Sequence, residues 1–556
     1  MTNQNSQIKA GPWQAWRRVR PEPWGFAAFC LAALVVAPIV SVIWIAFHPV
    51  ENIWPHLMAT VLPRYFGNTL ILMVGVGVLT GFFGTGCAWL VTNYDFPGRR
   101  WLDAGLLFPL AVPAYVGAYA LVDFLNYAGI VQTALRGAMG WTSARDYWFL
   151  EIRSRLAAVI VLSAALTPYV YFLARTAFRD QSGSAHDVAR ALGCGPWRLF
   201  WRVGLPLARP AIAAGVALAL METVADYGTV MHFGVQTLTT GIFSTWLTAG
   251  NSGGAAQIAL LVLALILLLV GLERRGRRGM AHHSLSRADR AVVRVALRGG
   301  KAWLSFGFCA LPFVIGFVLP VGVMLRHALL APAGWVSPGL AQALLNTLFV
   351  SGAAAGLTVI AALILLYGAR LSGRRLPRLL LPIATLGYAA PGAVLALGLL
   401  IPLAALDHRL ADAVLAITGR DPGLLLTGTA AALILAYLVR FFGVAQGAID
   451  AGMGRIAPNL PLAARTLGRS IRGTLGAVYL PLLRAPLATA MLVVFVDCVK
   501  ELPATLLLRP FNFNTLATRV YEEASLERLN DAAPAALLVM GVGLVAVLLL
   551  TRTRHR

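Results

Sequence analysis

Apolar runs, each about the 20 residues that a helix needs to cross a bilayer, recur along the chain between short polar segments. They are far longer than a strand or a soluble core helix requires. Lipid offers no water to satisfy an irregular backbone, so runs of this length predict helices. Twelve spans are expected, near residues 26–47, 66–93, 104–126, 156–174, 208–230, 253–272, 302–325, 345–369, 379–403, 423–443, 484–505 and 532–551. The fold class read from this pattern is an all-α polytopic membrane protein.

Composition supports that class, with 58% hydrophobic and 12% charged residues against about 25% charged in soluble domains. The 46 Lys+Arg against 23 Asp+Glu give +23, which in a soluble protein would suggest nucleic acid. Here the Arg clusters lie between spans, and no basic face with interleaved aromatics stands outside them, so nucleic acid is not expected as a partner. Retention of cationic loops in the cytoplasm accounts for the clusters and predicts that both termini are cytoplasmic. The opposite loops, 126–152, 229–250, 406–424 and 508–531, carry fewer basic residues. Cys30, Cys87, Cys194, Cys309 and Cys498 are odd in number and widely spaced, which gives neither a disulfide framework nor a zinc spacing. The first apolar run is about twice a signal-peptide core and lacks a small-residue cleavage site, so it reads as a retained span.

An internal repeat divides the chain. Asp187-Val-Ala-Arg-Ala-Leu-Gly193 through Leu205-Pro206 returns as Leu462-Ala-Ala-Arg-Thr-Leu-Gly468 through Leu480-Pro481. Both anchors are separated by 275 residues (468 − 193 and 481 − 206). Pro97-Gly-Arg-Arg100 matches Ser372-Gly-Arg-Arg375 at the same offset. The chain thus reads as two fused, pseudo-symmetric six-helix halves, 1–272 and 302–556, joined by a basic linker over 273–301. Each repeated loop predicts a short amphipathic helix ending at Gly193 or Gly468, a turn, and a second helix entering the bilayer at Pro206 or Pro481. Trp197, Phe200 and Trp201 beside Arg198 and Arg202 suit either lipid or a partner's groove. Two copies in equivalent loops suit a two-fold symmetric partner.

These loops resemble the "EAA" signature of the membrane subunit of binding-protein-dependent ABC importers: E-A-A, three residues, Gly, nine residues, I-x-L-P. The copies read Asp187-Val-Ala189, Gly193, Val203-Gly-Leu205-Pro206, and Leu462-Ala463-Ala464, Gly468, Val478-Tyr-Leu480-Pro481. The spacing matches throughout, while the leading Glu is Asp in one copy and Leu in the other. The resemblance covers essentially the whole chain as a fused double permease and implies a type I importer permease fold. It implies coupling loops seated on two copies of an ATP-binding subunit, which would hold the ATP and Mg, and an extracytoplasmic binding protein that delivers substrate. The stretches 222–229, 233–243 and 500–510 look most like ferric-iron importer permeases, with thiamine, phosphonate and polyamine permeases sharing parts of the pattern. No Gly-x-x-x-x-Gly-Lys-Ser/Thr phosphate loop occurs, so the chain is not expected to be the ATPase, nor to carry a cofactor.

A separate signal lies in spans five and eleven. Each follows an Arg (Arg209, Arg484) and runs twelve uncharged residues before an acid. Glu222 and Asp226 are four apart, as are Asp497 and Glu501, which predicts one helix face for each pair. The pairs correspond at 275 (497 − 222 and 501 − 226). A charge at that depth costs at least about 2.5 kcal/mol and usually marks a pathway. Four carboxylates suit a hard, highly charged cation, which prefers oxygen ligands, and the resemblance implies that this cation is Fe3+ in transient passage. The competing reading is structural: Lys500 lies three residues beyond Asp497 and has Ala225 as its counterpart (500 − 225 = 275). Intramembrane carboxylates would also serve a proton-coupled carrier. His232 reads as a metal ligand or a hydrogen-bonded interfacial residue, and Met221 and Cys498 read as packing.

Overall fold

The computed structural model describes residues 23–181, 188–189, 191–277, 294–371, 381, 387, 390–457 and 459–553. Asp187, the 372–375 motif and residues 278–293 of the basic linker lie outside them. Among the described residues eleven helices are long and apolar enough to cross a membrane, and a pair bent by 74° makes twelve if it is counted as one span. The chain is a multi-pass α-helical membrane protein.

The first half runs α1 (Pro23–Phe47), α2 (Leu62–Asn93), α3 (Ala114–Leu125), α4 (Arg155–Arg179), α5 (Leu205–Ala225), the short α6 (Gly228–His232) and α7 (Leu238–Phe243), and α8 (Ser252–Arg277). The second runs α9 (Gly300–Phe313) into α10 (Leu319–Leu330), then α11 (Leu340–Leu371), α12 (Gly392–Thr418), α13 (Ala430–Gly454), α14 (Arg484–Val499), α15 (Pro503–Leu508), α16 (Leu516–Ser525) and α17 (Leu529–Thr553). The halves repeat in detail. Thr69 Oγ1 accepts from Leu238 N at 3.1 Å, and Thr347 Oγ1 accepts from Leu516 N at 2.8 Å. These pairs are offset by 278 (347 − 69 and 516 − 238) against 275 at Gly98 and Gly373 and at the acids, so the second half has three residues fewer between Thr347 and Gly373 and three more between Glu501 and Leu516.

Two spans differ from expectation. Span three is not helical over 104–126: a 3-10 turn at Phe108–Ala111 and extended Val112 and Pro113 precede α3, because Pro109 and Pro113 cannot donate to a helical ladder. Span nine occupies 392–418 rather than 379–403, with Pro391 at its N-cap. Its helix tolerates Asp407 because that carboxylate accepts from the Leu425, Leu426 and Thr427 amides and the Thr427 hydroxyl.

Three π-turns, Phe200–Gly204, Val314–Val318 and Leu475–Tyr479, each end immediately before a Leu-Pro pair. Proline lacks an N–H and its ring crowds the carbonyl four residues back, and the wider π-turn accommodates both. Consequently the fifth span starts at Pro196 rather than Pro206, and its counterpart at Ile471 rather than Pro481.

The first span of each half packs against the other half. Ala28, Ala32, Val35 and Ile39 of α1 join a core with α11, α13 and α14. Ala302, Cys309 and Phe313 of α9 join Cys87, Leu102 and Tyr171. The linker's far end pairs in parallel with the loop after α2, β1 (Tyr94–Asp95) against β2 (Val295–Ala296). Close approach depends on small residues: at Gly398 of α12 an added Cβ would collide with the Pro38 carbonyl of α1. Gly398→Leu is therefore expected to lower the thermal midpoint through about 1–3 kcal/mol of overpacking. Gly271→Leu, where nothing lies within 4 Å, should leave it unchanged.

Candidate functional site

The acid-bearing helices break where the acids begin. α5 ends at Ala225, and Asp226 adopts an extended backbone (ψ 137°). α14 ends at Val499 with Lys500 at its C-cap. The expectation of one continuous helix face for each pair is therefore corrected: Glu222 and Asp497 sit on the helices, while Asp226 and Glu501 lie past them. The cause is capping. Asp226 accepts from Val230 N at 3.1 Å and the Thr229 hydroxyl at 2.8 Å, and Glu501 accepts from Ala504 N at 2.9 Å. Each acid satisfies an amide at the start of the next short helix, which an uninterrupted helix would leave no room to do.

The breaks face one another, and all four carboxylates line a single cavity of about 110 Å³, enough for several waters. Tyr115, Tyr169, Tyr227, Arg440 and Lys500 complete its polar lining. Lys500 Nζ lies 2.8 Å from Asp497, and Arg440 Nη1 lies 3.3 Å from Glu501 with both side chains at least nine-tenths buried. Four carboxylates against two cations leave a formal charge of −2. Both cations come from the second half. Glu222 and Asp226 of the first half thus lack a cation within ion-pair distance among the described residues, and Glu222 also lacks a hydrogen-bond donor there. No three His, Cys, Asp or Glu side chains among the described residues are grouped closely enough to hold a metal together. The cavity is suited to transient electrostatic contact rather than a resident ion.

Arg440 was not singled out from the sequence, although a lone Arg inside an apolar run is itself a functional signal. Met221 and Cys498 pack in apolar clusters, as expected. His232 is different: its Nε2 is buried without a hydrogen-bond partner.

The repeated loops keep their symmetry. Gly193 (φ 78°) and Gly468 (φ 80°) both take the left-handed conformation that ends a helix. The same 6→1 bond closes each, from Cys194 N to Ala189 O and from Arg469 N to Ala464 O, both 3.0 Å. Ala189 and Ala464 are buried, whereas Ala463 is exposed. Leu192 and Leu467, one residue before each glycine, are 79% and 84% exposed, and Trp197 and Trp201 are also exposed. Leu205-Pro206 and Leu480-Pro481 follow the π-turns inside the bent or continuous spans. Near the first loop, Asp103 is bound by Arg175 at 2.6 Å and Arg179 at 2.8 Å. Burial alone would raise its pKa, but the two guanidinium groups and the Tyr171 hydroxyl together hold it below the ordinary carboxylate range.

Residues 77–281 match the family described as binding-protein-dependent transport system inner membrane component. The Fe(3+)-transport system permease protein of Haemophilus influenzae is 26% identical over 491 residues, which cover 87% of this chain and 89% of that protein. The ferric transport system permease protein of Actinobacillus pleuropneumoniae is 23% identical, covering 93% of this chain and 74% of the relative. The molybdenum transport system permease protein of Escherichia coli (strain K12) is 29% identical, but over 34% of this chain and 80% of its own length. The long matches span both halves of the repeat, and the shorter one fits within a single half's length. With the duplicated EAA-like loops and the helical architecture, they make the chain similar to ABC importer permeases over both of its halves, ferric-iron importer permeases among them.

Proposed function

We propose that this permease conducts Fe3+ delivered by an extracytoplasmic binding protein, driven by two copies of a separate ATP-binding subunit. The observation that carries this reading is the cavity of four carboxylates with a net formal charge of −2, placed between the halves at the helix breaks. Hard cations prefer such oxygen ligands, and the two long-matching relatives bear ferric-transport names. In this reading the protein sits in the bacterial inner membrane with both termini and both EAA-like loops cytoplasmic. ATP binding closes the partner subunits, the loops move, and the halves swing so that the cavity opens to one side at a time. This chain performs no covalent chemistry.

A second reading is passage of an anion, favoured by Arg440 and Lys500 in the cavity and by the similarity to a molybdenum permease. It is the weaker one, since each of those cations already faces a carboxylate.

The coupling part is tested at the glycines. Gly193→Ile with Gly468→Ile forces β-branched residues into left-handed backbone, at about 1–2 kcal/mol each. The space around both is open, so no core is disturbed. The double variant is expected to insert normally but to lose substrate-stimulated ATP hydrolysis in the assembled complex. Wild-type stimulation would remove the docking role.

A further inference from the structure

Beside the acid cavity stands a second group of polar side chains that packing does not account for. Tyr115 and Tyr119 lie four residues apart on α3, hence on one face, with ring centroids 6.1 Å apart. Tyr115 also lines the cavity. His232, the last residue of α6, meets Tyr119 edge to face at 4.5 Å. Tyr115 and Tyr119 are only 5% and 1% exposed. Tyr115 Oη and His232 Nε2 have no hydrogen-bond partner among the described residues, and Tyr119 Oη lies beside Ser525 without a well-formed bond. Orphaned buried polar groups cost about 1–3 kcal/mol each, so phenylalanine would serve better were these rings only filling space.

The group has a direction. His232 is within electrostatic reach of Arg153 and Glu527. Those two residues join the halves through a 3.1 Å ion pair whose side chains are 52% and 79% exposed. A column of polar groups therefore runs from an exposed pair at the rim through His232, Tyr119 and Tyr115 to the carboxylates.

We infer that Tyr115, Tyr119 and His232 form a metal-handling station between the rim and the cavity, taking a hard trivalent cation on two phenolate oxygens and an imidazole nitrogen. This rests on the cation reading above and deepens it. Oxygen donors suit a hard cation, and imidazole suits iron. On binding, each phenol releases its proton to water as its oxygen–metal bond forms. On transfer to the carboxylates those bonds break and the phenols are reprotonated, while the metal stays trivalent. The orphaned atoms are then the unoccupied ligands of a station that is filled only during transport.

The test uses the purified full chain in lipid nanodiscs, titrated with ferric nitrilotriacetate. The wild type should develop a visible phenolate-to-iron charge-transfer band. Y115F and Y119F should each weaken it, the double variant should abolish it, and H232Q should shift it, with thermal midpoints of the Phe variants no lower than that of the wild type. E222Q should keep the band. No band in the wild type, or a full band in the Tyr double variant, overturns the station. If that happens while the assembled complex still takes up iron, the station alone is wrong. If the complex takes up no iron, the cation reading falls and the station with it.

Discussion

Glu222→Gln is expected to lower cation uptake roughly tenfold or more, a loss of about 1.4 kcal/mol in the transport step. The thermal midpoint and basal ATP hydrolysis of the assembled complex should stay near wild type. Glu222 lines the cavity with neither an ion-pair partner nor a hydrogen-bond donor among the described residues, and Arg440 and Lys500 act on it only across the cavity, so its carboxylate is left to face cargo. Gln keeps the size and hydrogen-bonding capacity of the side chain. The other acids should behave differently because the protein already uses them. Glu501→Gln weakens the contact to buried Arg440 and disturbs the cap on Ala504 N. Stranding a buried charge costs about 3–5 kcal/mol, and this variant should show as lost stability or expression. Thermal melting beside uptake separates the two cases. If E222Q transports normally, the cavity is not the cation's path. If E222Q melts as early as E501Q, Glu222 is a structural partner.

The second large effect is expected at the partner surface. Leu192→Asp with Leu467→Asp should abolish co-purification of the ATP-binding subunit while leaving the permease folded. Both leucines are more than three-quarters exposed, and exposed substitutions usually shift stability by no more than about 0.5 kcal/mol. As interface anchors, two such positions at about 2 kcal/mol each amount to roughly a thousandfold in affinity. Retention of the ATPase by the double variant would assign these side chains to lipid instead.

Much of this arrangement is readable from the chain because hydrophobic length dictates spans and because duplication writes the same device twice. The glycines at 193 and 468 announce left-handed helix ends, and the acids at 222 and 497 stand out against uncharged surroundings. Asp497 and Lys500 do pair, as their spacing suggested. Other features depend on three-dimensional context. Whether Asp226 continues a helix or caps the next one is decided by Thr229 and Val230 presenting donors to it. The Arg440–Glu501 pair joins residues 61 apart on different spans, which no local spacing reveals. The exchange of α1 and α9 between halves follows from contacts such as Pro38 against Gly398, since an apolar helix has no sequence mark of its neighbour. The 74° bend at Leu483 has no equivalent in α5, although both follow a Leu-Pro pair.

The most direct test of the central claim is ferric-iron uptake into vesicles containing this chain, its ATP-binding subunit and its binding protein, measured with ATP or with a proton gradient alone. Uptake should require both ATP and the binding protein and should collapse in E222Q. Iron accumulation driven by the proton gradient without ATP would contradict it and would make the chain a carrier.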